Sequence, residues 1–280
     1  MKMNEGEGEF ILRRILVALD GSKHSLAALD AAVHLAAGLE AELHGIFVED
    51  INLLKLAHLP FARHIRYPSA ATEPIDAAGL ERELRVKGEQ ARKALAAAAS
   101  PAQVPWSFRV LRGRVTAEVL AAASGADLLT MGKGGHSLTG RRLGSIALAA
   151  VANAPRALMF VQEGVRFGPP ILAVYDASPG SLRALGAAQR FAEAMGDGMT
   201  LIIVAEGHEA ARRAREELAP LVERGKRQVH YRYVASASDL VAAVLRERGG
   251  VLVLSGSQVG KQDVLRLLHE VKIPVVLLGS

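Results

Sequence analysis

The chain has 280 residues, of which half are hydrophobic, a formal charge of +5 and no cysteine. This length predicts about two domains with their own cores, and the composition excludes a disordered chain. The lack of cysteine excludes disulfides, thiolate metal sites and cysteine nucleophiles, and the dispersed positive charge argues against a nucleic-acid partner.

The N-terminus is not typical of a signal peptide. Residues 1–10 are polar and contain three glutamates, whereas a signal peptide places an apolar segment after a basic start. No apolar run approaches the roughly 18 to 20 residues that span a bilayer. We therefore expect a cytoplasmic protein without a membrane partner.

Strands and helices alternate in the first half. Residues 15–19 form a continuous apolar run that ends at Asp20-Gly21-Ser22, as a buried strand would, and the apolar residues from Leu26 to Leu39 recur at helical spacing. Further strands are predicted at 43–48, 106–111, 128–131 and 157–161, and further helices at 80–99, 116–124 and 144–152.

Residues 50–79 form an insertion with three prolines, which predicts a loop or a short helix. Its apolar side chains indicate a lid or a contact surface, and packing on the domain is the default for the leucines among them. These side chains are Leu53, Leu54, Leu56, Leu59 and Phe61.

The second half repeats the first. A shift of 156 positions aligns residues 15–48 with 171–204 without a gap, and thirteen of the 34 positions are identical, including Asp20 with Asp176. The segment 164–170, which ends in Gly-Pro-Pro, predicts a linker. We therefore predict an α/β protein of two Rossmann-like (flavodoxin-like) domains, 13–164 and 170–280. Each has a mainly parallel five-stranded sheet with helices on both faces.

Three segments of the first half follow strands and would meet at one edge of the sheet: Asp20-Gly21-Ser22, Val48-Glu49-Asp50, and the glycine-rich run from Met131 to Ser145. Glycines let a backbone approach a ligand closely, and the helix predicted from Gly144 would offer free N–H groups to an anion. Three basic side chains could add countercharge: Lys133, Arg141 and Arg142. A surface loop without a ligand is the alternative.

The glycine-rich run resembles the nucleotide signature of universal stress proteins, which is Gly, two residues, Gly, nine residues, Gly, then Ser or Thr. The first strand with its Asp-Gly-Ser, the segment Leu111-Arg-Gly-Arg and Asn153-Ala-Pro155 are also similar to that family. The resemblance implies an adenine-nucleotide site for ATP, with or without Mg²⁺. It implies Asp20 and the backbone of Val48 at the adenine and ribose end, and Gly132, Gly135, Gly144 and Ser145 at the phosphates, with Ile146 adjacent. Ala18 belongs to the same candidate site.

One departure from the family pattern lies in this run. Eight residues separate Gly135 from Gly144 instead of nine. Counting from Gly134 restores nine, but then Met131 stands where the first glycine belongs. Met131 and Gly134 are therefore included in the candidate site.

The second half keeps Asp176 and has no counterpart of Gly144-Ser145, which favours a scaffold without a site. The resemblance implies a regulatory protein of the stress response, with at most slow ATP hydrolysis, since no catalytic motif is recognised. The last strands of the two domains could pair into an intramolecular pseudo-dimer, with a homodimer as a further assembly. A protein-interaction module, or a small-ligand sensor attached to a transport system, is the alternative function.

Overall fold

A computed structural model describes residues 11–59, 61–66, 71–134, 144–153, 156–165, 167–196, 198–222, 228–236, 239–247, 250–258 and 261–279. The strands are β1 Arg14–Ala18, β2 Glu42–Asp50, β3 Arg63–Arg66, β4 Ala71–Pro74, β5 Trp106–Gly113, β6 Leu128–Gly132, β7 Ala157–Val161, β8 Ile171–Tyr175, β9 Gly198–Val204, β10 Gln228–Val234, β11 Val251–Ser255 and β12 Val275–Leu278. The helices are α1 Lys23–Leu39, α2 Ile51–Ala57, α3 Ala77–Ala99, α4 Val115–Ala123, α5 Ser145–Ala152, α6 Pro179–Met195, α7 His208–Val222, α8 Leu240–Arg246 and α9 Lys261–Glu270.

Ten of these strands form one sheet in the order β10-β9-β8-β11-β12-β7-β6-β1-β2-β5. Neighbouring strands are parallel except β7 and β12, which are antiparallel. Each half therefore contributes five parallel strands joined by helical crossovers, and the predicted Rossmann-like α/β fold class is confirmed. The strands at the centre read as unbroken apolar runs because helices cover both faces of the sheet.

Two hydrophobic cores lie on the two faces of the sheet. One core packs β-strand side chains against α1, α3, α6 and α7, and contains the buried Phe191. The other core packs the alternate side chains against α4, α5, α8 and α9, and contains the buried Phe160. The alternation of side chains along each strand explains why neighbours such as Met159 and Phe160 belong to different cores.

The insertion contains more structure than the sequence indicates. It forms α2 and a hairpin of β3 and β4. Leu54 is buried, but the exposed fractions of Leu53, Leu56, Leu59 and Phe61 are 45%, 45%, 42% and 77%. The expectation that the leucines pack on the domain is therefore wrong for Leu53, Leu56 and Leu59, and only Leu54 lies on the buried side of α2.

The two halves meet at equivalent positions. In the β7–β12 pair, Met159 lies opposite Val276, with Leu158 opposite Leu277 on one side and Phe160 opposite Val275 on the other. Helices α1 and α6, which the 156-residue shift superimposes, cross where Gly38 meets Ala194. A Cβ at Gly38 would lie 2.8 Å from the Ala194 carbonyl oxygen.

No helix within the described ranges is long and apolar enough to cross a membrane.

Candidate functional site

A cavity of about 870 Å³ opens at the carboxyl ends of β1, β2 and β6. The chain leaves β1 towards β2 on one side, whereas β6 lies on the other side, so the strand order reverses at β1. A crevice forms at such a reversal because the two flanking crossovers run over opposite faces of the sheet. This is the edge at which the sequence predicts a ligand site.

Hydrogen bonds fix the turn after β1. The Asp20 carboxylate accepts from the Ser22 N–H at 2.9 Å, and Gly21 takes the left-handed conformation, with φ of 78°, that the turn requires. Ser22 is the N-cap of α1, and its hydroxyl oxygen accepts from the Ser25 N–H at 3.1 Å. Asp20 is thereby held, exposed, at the rim of the cavity.

The neighbouring strand β2 presents Val48 and Asp50 to the same cavity. Glu49, which points the other way, is buried and accepts from the Arg112 guanidinium at 2.8 Å. Arg112 is therefore occupied by a structural ion pair. Asp50 caps α2 by accepting from the Asn52 N–H at 2.9 Å.

Met131, Gly132 and Gly134 bring the glycine-rich segment to the cavity from β6. Helix α1 requires the glycine at 132, since a Cβ there would lie 2.7 Å from the His24 Cβ and 2.9 Å from the His24 carbonyl carbon. At Gly134 a Cβ would lie 2.9 Å from the His24 imidazole ring. The two glycines therefore let this segment pass close to His24.

Two helices begin at the cavity wall. Helix α5 starts after Gly144, and α4 starts after Arg114, and neither N-cap makes a side-chain hydrogen bond to its helix. The first N–H groups of a helix lack intrahelical partners and carry the positive end of the dipole. Ser145, Ile146 and Thr116 line the cavity at these two starts. This wall suits an anion.

Nine of the ten residues of the candidate site line this cavity: Ala18, Asp20, Val48, Met131, Gly132, Gly134, Gly144, Ser145 and Ile146. The tenth, Gly135, lies outside the described residues, together with Arg141 and Arg142.

The expectation for Lys133 is wrong. Its side chain is buried and turns away from the cavity, and its amine donates to the carbonyl oxygens of Val271 at 2.7 Å and Ile273 at 2.9 Å. Burial lowers the pKa of Lys133 to about 7. Two basic side chains do line the cavity, Arg114 and Lys87 on α3, and the Lys87 amine is paired with Glu83 at 2.7 Å. Lys87 was not predicted from the sequence; it lies one helical turn beyond the buried Leu84 and so on the same side of α3.

The corresponding edge of the second half is filled by its own side chains. Gln258 donates to the Val174 carbonyl oxygen at 3.0 Å and accepts from the Ser255 N–H at 2.7 Å. The hydroxyls of Ser255 and Ser257 lie 2.9 Å apart. Asp176 accepts from the Ser178 N–H at 3.0 Å. Val174 is the counterpart of Ala18, so Gln258 occupies the edge that is open in the first half.

Each half contains an equivalent close contact between a strand end and a helix start, and the glycine of that contact lies on opposite partners in the two halves. Strand registers make Ser255 the counterpart of Gly132, and the repeat makes Gly180 the counterpart of His24. In the first half the glycine is on the strand and the larger side chain is on the helix. In the second half this order is reversed, and a Cβ on Gly180 would contact the hydroxyls of Ser255 and Ser257.

We expect Asp176 to stabilise the protein in a pH-dependent way. Burial alone raises its pKa, but hydrogen bonds from Ser178, Ser181 and Gln258 outweigh burial and hold the pKa below the ordinary 3.8. The unfolded carboxyl therefore binds its proton at a higher pH than the folded one. Urea unfolding should show the wild type more stable than Asp176→Asn at pH 7. The difference should shrink as the pH falls below 3.8 through the folded pKa. A difference that stays constant between pH 7 and pH 3 would contradict this account.

Among the residues that the structure describes, no group of three or more metal-ligating side chains comes together.

Comparison with known proteins supports the fold and identifies a family. The sequence pattern of the "Universal stress protein family" matches residues 12–162. Among curated proteins no sequence matches the chain. A universal stress protein from Archaeoglobus fulgidus is 17% identical, with a TM-score of 0.70 over 95% of this chain and 98% of that one.

Two further structures are similar. The cytoplasmic domain of a prokaryotic cation chloride cotransporter is 9% identical, with a TM-score of 0.51 over 95% of each chain, a likeness that concerns the fold alone. A universal stress protein solved in complex with cAMP is 21% identical, with a TM-score of 0.37, over 55% of this chain and 99% of that one. Because the family pattern covers more than half of its residues, the chain belongs to the universal stress protein family.

Proposed function

We propose that the first half of the chain binds an adenine nucleotide, with ATP, with or without Mg²⁺, as the leading ligand, and that binding serves a regulatory role in a stress response. The observation that carries the proposal is the cavity at the reversal of strand order, whose lining contains two uncapped helix starts and Asp20. Its volume of about 870 Å³ lies within the range of small-molecule and cofactor sites.

The chemistry of the wall matches the parts of a nucleotide. Apolar side chains suit the adenine ring, and the Asp20 carboxylate can accept a hydrogen bond from an amino or hydroxyl group. The N–H groups around Gly132, Gly134 and Ser145 suit phosphate oxygens. Arg114 supplies positive charge at the same wall. The apolar lining includes Ile46, Phe47, Val115, Val119, Met131 and Ile146.

We also propose that domains 13–164 and 170–280 form an intramolecular pseudo-dimer in the cytoplasm, with one nucleotide per chain. The antiparallel β7–β12 pair and the contact of Gly38 with its counterpart Ala194 support this arrangement. The closed network around Gln258 supports a second half without a nucleotide. Regulation, with at most slow ATP hydrolysis, is proposed rather than catalysis.

A protein-interaction module remains the second candidate function. The exposed apolar side chains Leu53, Leu56, Leu59 and Phe61 favour it, since they lie together on α2 and the residues after it. A protein of this kind would show no change in stability with any nucleotide.

The experiment that tests the proposed function compares Asp20→Ala with Asp176→Ala by calorimetric titration with ATP. Both substitutions remove the acceptor of an equivalent turn, so Asp176→Ala is the control for loss of that turn hydrogen bond. We expect Asp20→Ala to weaken ATP binding by roughly tenfold or more, because a hydrogen bond to a charged group is lost. Asp176→Ala should bind as the wild type does. Equal affinities for all three proteins would contradict the assignment of the site to the first half.

A further inference from the structure

Lys133 connects the cavity with the second half of the chain. It lies between Gly132 and Gly134, which both line the cavity, but its own side chain is buried and points away from the cavity towards the end of α9. The amine contacts the carbonyl oxygens of Val271 and Ile273, immediately after α9. The residue is therefore part of the glycine-rich segment by its backbone and part of the second half by its side chain.

The backbone of Lys133 makes two further contacts. Its N–H donates to the Val161 carbonyl oxygen at 2.8 Å, and its carbonyl oxygen accepts from the Gly144 N–H at 3.4 Å. Val161 ends β7, and Gly144 is the N-cap of α5. One residue thus connects the last strand of the first half, the start of α5 and the end of α9.

The contact with α9 is chemically favourable for both partners. Carbonyl groups at the end of a helix lack intrahelical partners, and a lysine amine there satisfies them and interacts well with the dipole. The elements around the amine, which are β6, β7, α5 and β12, contain no ionisable side chain. On the last turn of α9, Glu270 is exposed and paired with Arg266 at 2.8 Å. Burial without a carboxylate partner is consistent with the pKa of Lys133 of about 7.

The second half has no equivalent of this contact. Its counterpart of Lys133 is Gly256, whose N–H donates to the Leu278 carbonyl oxygen at 2.8 Å as the Lys133 N–H does to Val161. Glycine has no side chain with which to reach the first half. The contact is therefore made once in the chain, by the glycine-rich segment of the first half with the end of α9 in the second half.

We infer that Lys133 is a positioning residue for the proposed nucleotide site, which holds Gly132, Gly134 and the start of α5 in place and couples their state to α9. This inference rests on the proposed function. Nucleotide contacts with the glycine segment would restrain the Lys133 backbone, and the amine would transmit that restraint to Val271 and Ile273. Coupling of this kind is reciprocal, so loss of the α9 contact should weaken nucleotide binding.

The test compares the full-length wild type with Lys133→Met and with Lys272→Met, which removes an exposed lysine beside the same carbonyls. Hydrogen exchange is followed with and without ATP, and affinity is measured by titration. We expect Lys133→Met to weaken ATP binding about tenfold and Lys272→Met to leave it unchanged. In the wild type and Lys272→Met, ATP should slow exchange at residues 267–273. In Lys133→Met this distant protection should be lost even at saturating ATP.

The outcomes separate the inference from the proposed function. If the wild type binds ATP and residues 267–273 respond equally in Lys133→Met, the inference is overturned and the nucleotide site stands. If the wild type binds no nucleotide, the proposed function fails and the positioning role fails with it. In that case hydrogen exchange without ligand still reports the contact between Lys133 and the end of α9, because exchange at residues 132–134 and 144–146 should be faster in Lys133→Met and not in Lys272→Met.

Discussion

Gly132→Ala should lower the free energy of unfolding by about 2 kcal/mol, which is the cost of overpacking a close contact. The new Cβ would lie 2.7 Å from the His24 Cβ and 2.9 Å from the His24 carbonyl carbon, so the first turn of α1 must move. That turn also places Asp20 and Ser22, so ATP affinity should fall at least tenfold with it. Urea unfolding and calorimetric titration measure the two effects.

Gly256→Ala is the matched control at the end of β11. Its Cβ would meet the Leu278 carbonyl oxygen at 3.4 Å, an ordinary contact, so stability should change by less than about 0.5 kcal/mol. A wild-type stability for Gly132→Ala would show that the contact with His24 is not as close as described.

The second half suggests a double substitution that should relieve the same close contact. There the counterparts of His24 and Gly132 are Gly180 and Ser255. Combining His24→Gly with Gly132→Ser should therefore cost less than the sum of the two single changes, with a coupling energy of about 1 to 2 kcal/mol. Strict additivity of the two single changes would mean that the reversed position of the glycine in the two halves has no steric basis.

Gly38→Ala should lower the free energy of unfolding by about 2 kcal/mol as well, although alanine favours a helix over glycine by about 1 kcal/mol. The Cβ would lie 2.8 Å from both the Cβ and the carbonyl oxygen of Ala194, where α1 and α6 cross. Since the neighbour is backbone, relaxation must separate the two helices and strain the β7–β12 pair beside them. Thermal and urea unfolding would measure the loss.

The control for this prediction lies in the facing helix. Gly186 is inside α6, and a Cβ there would meet nothing within 4 Å. Gly186→Ala should therefore stabilise the protein by about 0.5 to 1 kcal/mol through helix propensity alone. The same substitution should thus have opposite signs in two equivalent helices. Stabilisation by both changes would contradict the close crossing of α1 and α6.

The sequence predicted those strands and helices whose positions depend on the pattern of neighbouring residues. Strand β7 was predicted with the bounds that the structure shows, because it is a five-residue apolar run between turn residues. Helix α1 begins at Lys23, three residues before the apolar stripe at Leu26, since its start is set by the Ser22 cap rather than by hydrophobic spacing. The residues that line the cavity follow from strand ends, which sequence locates well.

Side chains whose partners are distant in sequence could not be placed in this way. Lys133 lies in a glycine-rich, basic segment and is typical of a phosphate ligand by composition, yet its partners are more than 130 residues away. Gln258 closes the second half through a contact 84 residues away, with Val174. The exposure of Leu53 and Leu56 depends on which side of α2 meets the domain, which the short run of leucines does not specify.

The stoichiometry of ATP binding to the wild-type chain, measured by calorimetric titration, distinguishes one site in the first half from a site in each half. We expect about one nucleotide per chain, with affinity lowered roughly tenfold or more in Asp20→Ala and unchanged in Asp176→Ala, because the cavity of the first half is open and the edge of the second is filled by Gln258. Two nucleotides per chain, or no binding of ATP, ADP, AMP or cyclic AMP with or without Mg²⁺, would contradict it.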